Sequence, residues 1–198
     1  VVGLKGTMSE AELHIMQQRL RQGVLAKARR GELHIVPPLG YVQRPAGEIA
    51  LDPDEQVQQV VRLIFRTFAE LGTVNALLRY LVAHQIQLGM RAHAGPERGA
   101  VVWRRPNRAT LQELLKHPMY AGAYVYGRRA VDPRRQQPGR RDTGRVVVAP
   151  EEWHVLLKDR VPAYISWAQY EENVARLQAN RARAASWGVV RNGPALLP

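Results

Sequence analysis

Apolar residues recur at helical spacing near the start of the chain. Leu13, Met16, Leu20 and Val24 follow one another at intervals of three or four residues, which places them on one face of an α-helix. Gly31 interrupts the pattern, and glycine is common just beyond the last turn of a helix. The pattern predicts a long N-terminal helix that ends just before this glycine.

Three further helices are predicted in the middle of the chain, over residues 52–71, 73–85 and 110–117. The first carries a wide apolar stripe, and Asp52 is its predicted N-terminal cap. The third is short, because Pro118 stops it after about two turns. All three have an apolar face that has to be buried against another element.

Segments with strand character lie between and after these helices. Residues 39–51 predict a small hairpin, and residues 122–127 predict a strand that pairs with residues 145–148 across a long loop. Residues 89–102 are rich in Gly, Pro and Arg and predict a surface loop. Ser166 is the predicted cap of a last helix.

The combined pattern predicts an α+β fold that is mainly helical. Its centre is a helix-turn-helix-like core of the three helices at 52–71, 73–85 and 110–117, with small antiparallel hairpins, and a long N-terminal helix precedes it. The connection before the short helix greatly exceeds the roughly 3–4 residues of an ordinary helix-turn-helix. The predicted unit is therefore a variant of that motif.

Positive charge is concentrated in two segments of this 198-residue chain, whose formal net charge is +12. Residues 21–35 contain four basic residues and one acidic residue, and residues 101–145 contain eleven basic and three acidic residues. Residues 36–100 are balanced. Clustered cations indicate a surface that binds a polyanion. Since the second cluster surrounds the predicted short helix, duplex DNA is the leading candidate partner.

The composition excludes several classes of function. The chain has no cysteine, which excludes disulfides, a zinc ribbon and cysteine-based catalysis within it. No apolar run approaches the roughly 18–20 residues of a membrane helix, so we expect no membrane partner and a cytoplasmic, nucleoid-associated location in a prokaryote.

The residues typical of an active site are also missing. Ser9 and Ser166 are explained as helix caps, and Ser186 has no recognisable base beside it. No two histidines have the spacing of a helical zinc site, and no phosphate-binding loop is present. The acidic cluster at 52–55 is more typical of a helix start than of a metal site. We therefore expect no catalytic residue, metal or cofactor in this chain.

The short helix and the segment before it carry the side chains best suited to contact DNA. Arginine pairs with guanine, whereas asparagine and glutamine pair with adenine, and glutamate accepts a hydrogen bond from cytosine. The predicted contacts are Arg104, Arg105, Asn107, Arg108, Thr110, Gln112, Glu113 and Lys116. The alternative is a solvated helix beside a basic loop.

Two other basic sets extend the predicted interface. A basic helix that continues into an extended arm can cross the DNA backbone and reach the minor groove, although it can equally be a solvated helix end. Its predicted contacts are Arg19, Arg21, Lys27, Arg29 and Arg30. The Arg-rich loop after the predicted strand adds phosphate contacts or is simply a charged loop; its residues are Arg128, Arg129, Arg134, Arg135, Arg140 and Arg141.

The order of several motifs resembles the large serine recombinases. Residues 4–13 look like the passage into the long helix that ends the catalytic domain in that family. Residues 37–41, Pro-Pro-Leu-Gly-Tyr, are similar to the start of its recombinase domain, and residues 51–65 to the first helix of that domain. The motif at 110–122, a short helix closed by proline and followed by tyrosine and glycine, is the most specific, and residues 161–166 resemble the lead into the last helix.

This resemblance implies a division of the chain. Residues 1–30 would be the trailing long helix of an absent catalytic domain, and 31–38 an extended basic linker. Residues 39–185 would be the DNA-binding recombinase domain. Residues 186–198 would lead toward an absent zinc ribbon, so zinc is expected only in a missing C-terminal region.

The resemblance also implies a function. The chain would bind duplex DNA sequence-specifically as part of an enzyme that cuts and rejoins DNA through a phosphoserine link made by its missing domain. The full-length protein would self-associate on DNA. Two alternatives remain open, a stand-alone DNA-binding regulator or architectural protein without recombinase activity, and a basic RNA-binding protein.

Overall fold

The computed structural model describes residues 2–45, 47–92, 96, 99–140 and 143–186. The predicted contact Arg141 and most of the predicted C-terminal linker lie outside these residues. Within them the chain forms five α-helices and four two-stranded antiparallel sheets, so the fold is a mixture of helices and small hairpins. None of the described helices is long and apolar enough to cross a membrane.

The helices are α1 (Val2–Arg29), α2 (Glu55–Leu71), α3 (Val74–Ala83), α4 (Arg108–Leu115) and α5 (Trp167–Ser186). The paired strands are β1 (Tyr41–Gln43) with β2 (Ile49–Leu51), β3 (Leu88–Arg91) with β4 (Val101–Arg104), β5 (Tyr124–Tyr126) with β8 (Val155–Leu157), and β6 (Arg129–Val131) with β7 (Arg145–Val147). Short 3₁₀ turns cover Pro118–Ala121 and Pro150–Glu152.

The main hydrophobic core lies among α2, α3, α4 and α5. The stripe on α2 is buried as predicted, with Val61, Ile64 and Phe68 fully enclosed. α3 packs on both α2 and α4, and α5 packs on α4 and on the 3₁₀ turn that follows it. The short helix α4 is therefore held from two sides by longer helices.

The start of α2 differs from the prediction. Asp54 is the cap, and its side chain accepts hydrogen bonds from the backbone N–H groups of Gln56 and Val57. The predicted cap Asp52 is buried instead and forms an ion pair with Arg91 of β3, 2.6 Å between Oδ1 and Nη2. This pair connects the start of α2 to the hairpin that precedes α4.

The prediction of a loop at 89–102 was wrong at both ends of that segment, where β3 and β4 pair. Residues 93–95, 97 and 98, between the strands, lie outside the described part of the chain. Gly89 misled the prediction because it resembles a loop signal. A Cβ at this position would lie 2.6 Å from Val57 Cγ2, so glycine is what allows β3 to approach α2 closely.

The predicted pairing of residues 122–127 with 145–148 was also wrong. β5 pairs with β8, and β7 pairs with the unpredicted strand β6. Gly127 separates β5 from β6 with a φ of 91°, a left-handed conformation that favours glycine. The chain therefore turns at Gly127 and begins a separate hairpin.

Three tyrosines, two of them buried and one half-buried, attach residues 39–41 to the rest of the chain. The Tyr120 hydroxyl donates to the carbonyl of Leu39, and the Tyr164 hydroxyl donates to that of Gly40, at 2.7 and 2.6 Å. The Tyr41 hydroxyl donates to the carbonyl of Met119, just after α4. Burial raises the pKa of Tyr41 and Tyr120, so both hydroxyls remain protonated donors.

Residues 31–38 have no regular secondary structure, and alternate side chains of this segment contact the domain. Leu33 and Ile35 pack against a small cluster that contains Ala28 of α1 and Tyr124 of β5. The segment contains no Lys or Arg, so the description of this linker as basic was wrong. The positive charge near it comes from the end of α1, from Arg30 and from Arg160.

Candidate nucleic-acid interface

The helix α4 begins two residues earlier than the predicted cap Thr110. The Asn107 side chain caps it by accepting a hydrogen bond from the Thr110 N–H at 2.8 Å. Leu111, Leu114 and Leu115 are buried in the core. The side-chain oxygen of Asn107 is therefore hydrogen-bonded to the helix backbone, and its side-chain N–H₂ group remains to donate to an outside partner.

The polar side of α4 faces solvent. Arg108 and Glu113 are exposed, whereas Thr110, Gln112 and Lys116 are half-buried. They form two rows along the outer side of the helix, one with Arg108, Gln112 and Lys116 and the other with Thr110 and Glu113, because residues three and four apart lie on the same face. Arg104 and Arg105 are exposed just before the helix, at the end of β4 and beyond it.

A depression lies beside each row. Arg108, Gln112 and Lys116 line a groove on the side of α3 and α5. Thr110 and Glu113 line a smaller cleft of about 370 Å³ on the side of β3 and residues 38–39. Each polar residue of α4 beyond its cap is thus next to a concave surface.

Glu113 connects α4 to the segment that starts hairpin β6–β7. Its Oε1 atom lies 3.4 Å from Arg128 Nη2 and 3.7 Å from Arg129 Nη2. Arg128 is half-buried, and burial lowers the pKa of its guanidinium while the Glu113 carboxylate opposes that effect. Two predicted cations therefore lie beside the predicted short helix.

His117 adds a neutral group at the end of α4. Its Nδ1 accepts a hydrogen bond from the Met119 N–H at 3.3 Å. Burial, with the nearby charges of Arg128 and Arg129, lowers the pKa of its imidazole to about 3. The ring therefore stays uncharged at neutral pH, which suits its role as an acceptor that caps the following turn.

The remaining predicted cations of the second basic segment lie on the hairpin formed by β6 and β7. Arg134, Arg135 and Arg140 are all exposed in the connection between its strands. Asp132 pairs with Arg135 at 3.4 Å, and its Oδ1 accepts the Arg134 N–H. These arginines lie on a different element from α4.

The cations of α1 form a third set. Arg19, Arg21 and Lys27 are exposed along the helix, as are Arg29 and Arg30 at its end. The last turns of α1 pack on β8. These cations therefore lie on a different element from α4. Arg30 also pairs with Glu32 at 2.8 Å.

Two basic residues near α4 were missed by sequence reasoning. Arg79 of α3 and Arg181 of α5 line the same groove as Arg108 and Lys116. Neither lies in a basic run or a motif, and only the packing of three helices brings them together. Their sole local signal is that both occur on the polar side of an amphipathic helix.

Comparison with known proteins places the chain in a family. The Recombinase family model matches residues 55–180. An uncharacterised protein of Sinorhizobium fredii, y4bA/y4pH, is 43% identical over 180 residues, which is 91% of this chain and 25% of that protein. The chain thus spans about a quarter of the length of this relative.

Two solved structures are among those that match this chain. One is a crystal structure of an LSR–DNA complex, with a TM-score of 0.48 and 15% identity over 84% of this chain and 40% of the other. The second concerns the sequence requirements of the Listeria innocua prophage attP site, with a TM-score of 0.48 and 14% identity over 80% and 50%. On the family match and the curated relative, the chain belongs to the Recombinase family, as its resemblance to the large serine recombinases predicted.

Proposed function

We propose that this chain is a sequence-specific DNA-binding region of a serine recombinase and that α4 lies in the major groove. One observation carries the proposal: the polar side of α4 faces solvent and has cations from other elements on both sides of it. Arg128 and Arg129 lie near Glu113 on one side, and Arg79 and Arg181 lie on the other. A helix in the major groove has a phosphate strand on each side, and cations on both sides of α4 suit that geometry.

The side chains of α4 then divide into two classes. Gln112 is suited to pair with adenine, and Arg108 with guanine or a phosphate. Glu113 holds the guanidinium groups of Arg128 and Arg129 beside the helix, so we assign it an orienting role rather than a contact with cytosine. The β3–β4 hairpin connects α3 to α4, which makes this unit a helix-turn-helix variant with a long connection.

The other basic sets contribute phosphate contacts in this proposal. The exposed arginines of the β6–β7 connection reach the backbone beyond the major groove. The cations of α1 follow the backbone toward the minor groove. Neither set specifies sequence, because phosphate contacts position a protein on the duplex and base contacts supply the discrimination.

The cutting and rejoining of DNA belong to the rest of the parent protein in this proposal. The chain corresponds to about a quarter of its Sinorhizobium relative. In the parent protein, this region would place a serine-bearing catalytic domain on its target, and several copies would associate on the DNA.

The salt dependence of duplex binding tests the proposal. If roughly six to eight cations contact phosphates, the logarithm of the association constant should fall with the logarithm of salt concentration with a slope of about −5 to −7. The measurement is a titration of the 198-residue chain into labelled mixed-sequence duplex DNA at a series of salt concentrations. A flat dependence contradicts the proposal, and equal affinity for a matched RNA duplex favours an RNA-binding protein instead.

A further inference from the structure

The groove beside α4 is lined by three helices. It has a volume of about 700 Å³ and lies between the first turns of α3, the outer side of α4 and the last turns of α5. Each helix contributes at least one cation, namely Arg79 from α3, Arg108 and Lys116 from α4, and Arg181 from α5. Residues separated by more than a hundred positions therefore face one concave surface.

The charge of this groove is uncompensated. Within the described part of the chain, none of its four cations forms an ion pair. None of the described residues that line the groove is acidic, and Thr73, Asn75, Gln112 and Asn180 add uncharged hydrogen-bonding groups. Like charges that share a surface repel one another, and an anion in the groove would relieve that repulsion.

Hydrogen bonds between α5 and the end of α2 fix the walls of the groove. Asn180 Nδ2 donates to the Gly72 carbonyl at 2.8 Å, and Arg176 Nη1 donates to the Ala69 carbonyl at 2.7 Å. These bonds attach α5 to the last turn of α2 and to Gly72, which follows it. The groove is thus formed before any ligand arrives, which reduces the ordering cost of binding.

We propose that this groove binds the sugar–phosphate backbone of duplex DNA and that Arg79 and Arg181 are its phosphate contacts. The inference rests on the proposed function, because it takes α4 as the helix in the major groove. The groove then receives the strand on one side of α4, and Arg128 and Arg129 face the strand on the other. A continuous backbone fits better than a free anion, since the cations are spread over three helices.

Neutral substitutions at the two new positions test this proposal. Arg79→Gln and Arg181→Gln should each make the salt slope shallower by about one, and the double variant by about two, because each removes one phosphate contact. The probe is the same labelled mixed-sequence duplex DNA. Arg66→Gln is the matched control, since Arg66 is an exposed arginine on the outer side of α2, and its slope should equal that of the unmodified chain.

The outcomes separate this inference from the proposed function. Slopes unchanged in both variants, while the unmodified chain binds DNA with a steep slope, would overturn the groove assignment and leave the role of α4 standing. An equal reduction in Arg66→Gln would also overturn it, because the effect would then be that of net charge. If the unmodified chain showed no salt-dependent binding, the proposed function itself would be contradicted.

Discussion

Replacement of Asp52 by asparagine is expected to lower the free energy of unfolding by about 2–3 kcal/mol. Only 1% of the Asp52 side chain is exposed, and both of its oxygens accept hydrogen bonds from Arg91. Oδ1 also accepts the backbone N–H of Asp54. Asparagine keeps one acceptor but leaves the half-buried guanidinium without its ion-pair partner. Urea unfolding followed by circular dichroism measures the change.

Glu48→Gln is the control for this prediction. It removes the Arg44–Glu48 ion pair, in which both side chains are more than 60% exposed, and an exposed pair contributes at most about 1 kcal/mol. Equal losses in the two variants would contradict the idea that Asp52 holds the β3–β4 hairpin against the start of α2.

The largest effect on binding is expected from charge reversal on α4. Arg108→Glu combined with Lys116→Glu should weaken binding to duplex DNA about 100-fold, on the order of 1.4 kcal/mol for each reversed charge. The variant replaces two cations with two anions at a surface that faces phosphates. Titration of labelled duplex DNA at one fixed salt concentration measures the loss.

The matched control reverses two exposed arginines elsewhere, Arg44→Glu with Arg66→Glu. It changes the net charge by the same amount on surfaces that do not include α4. The control should lose much less affinity than the α4 variant. Equal losses would mean that overall charge, and not the α4 surface, determines binding.

Local signals predicted where the helices lie, although Ser9, the predicted cap of the first helix, is inside α1. The stripe of α2 is buried, and Ser166 caps α5 by accepting the Gln169 N–H at 3.2 Å. Pro118 does end the short helix, and it begins the 3₁₀ turn that follows. In each case the decisive interaction lies within a few residues along the chain, so the sequence contains the information directly.

Features decided by distant contacts were missed. Asp52 has the sequence context of a cap, but Arg91, far along the chain, provides a better partner. The pairing of β5 with β8 depends on the turn at Gly127, whose conformation no periodicity reveals. Three-residue strands such as β6 carry too few positions for a clear alternating pattern.

The same distinction applies to the candidate site. The sequence located α4 and its basic surroundings, because those cations are neighbours along the chain. It could not place Glu113 against Arg128, nor Arg79 and Arg181 in one groove with Arg108. Those arrangements arise from helix packing, and a search for basic runs does not detect single cations on separate helices.

Protection of arginine side chains by duplex DNA tests the central claim most directly. The chain would be treated with phenylglyoxal with and without DNA, and mass spectrometry would read the modification of each arginine. We predict that DNA protects Arg108 and Arg129, whereas Arg44 and Arg66 react equally in both samples. Modification of Arg108 that DNA leaves unchanged, or protection confined to Arg44 and Arg66, would contradict the docking of α4 on DNA.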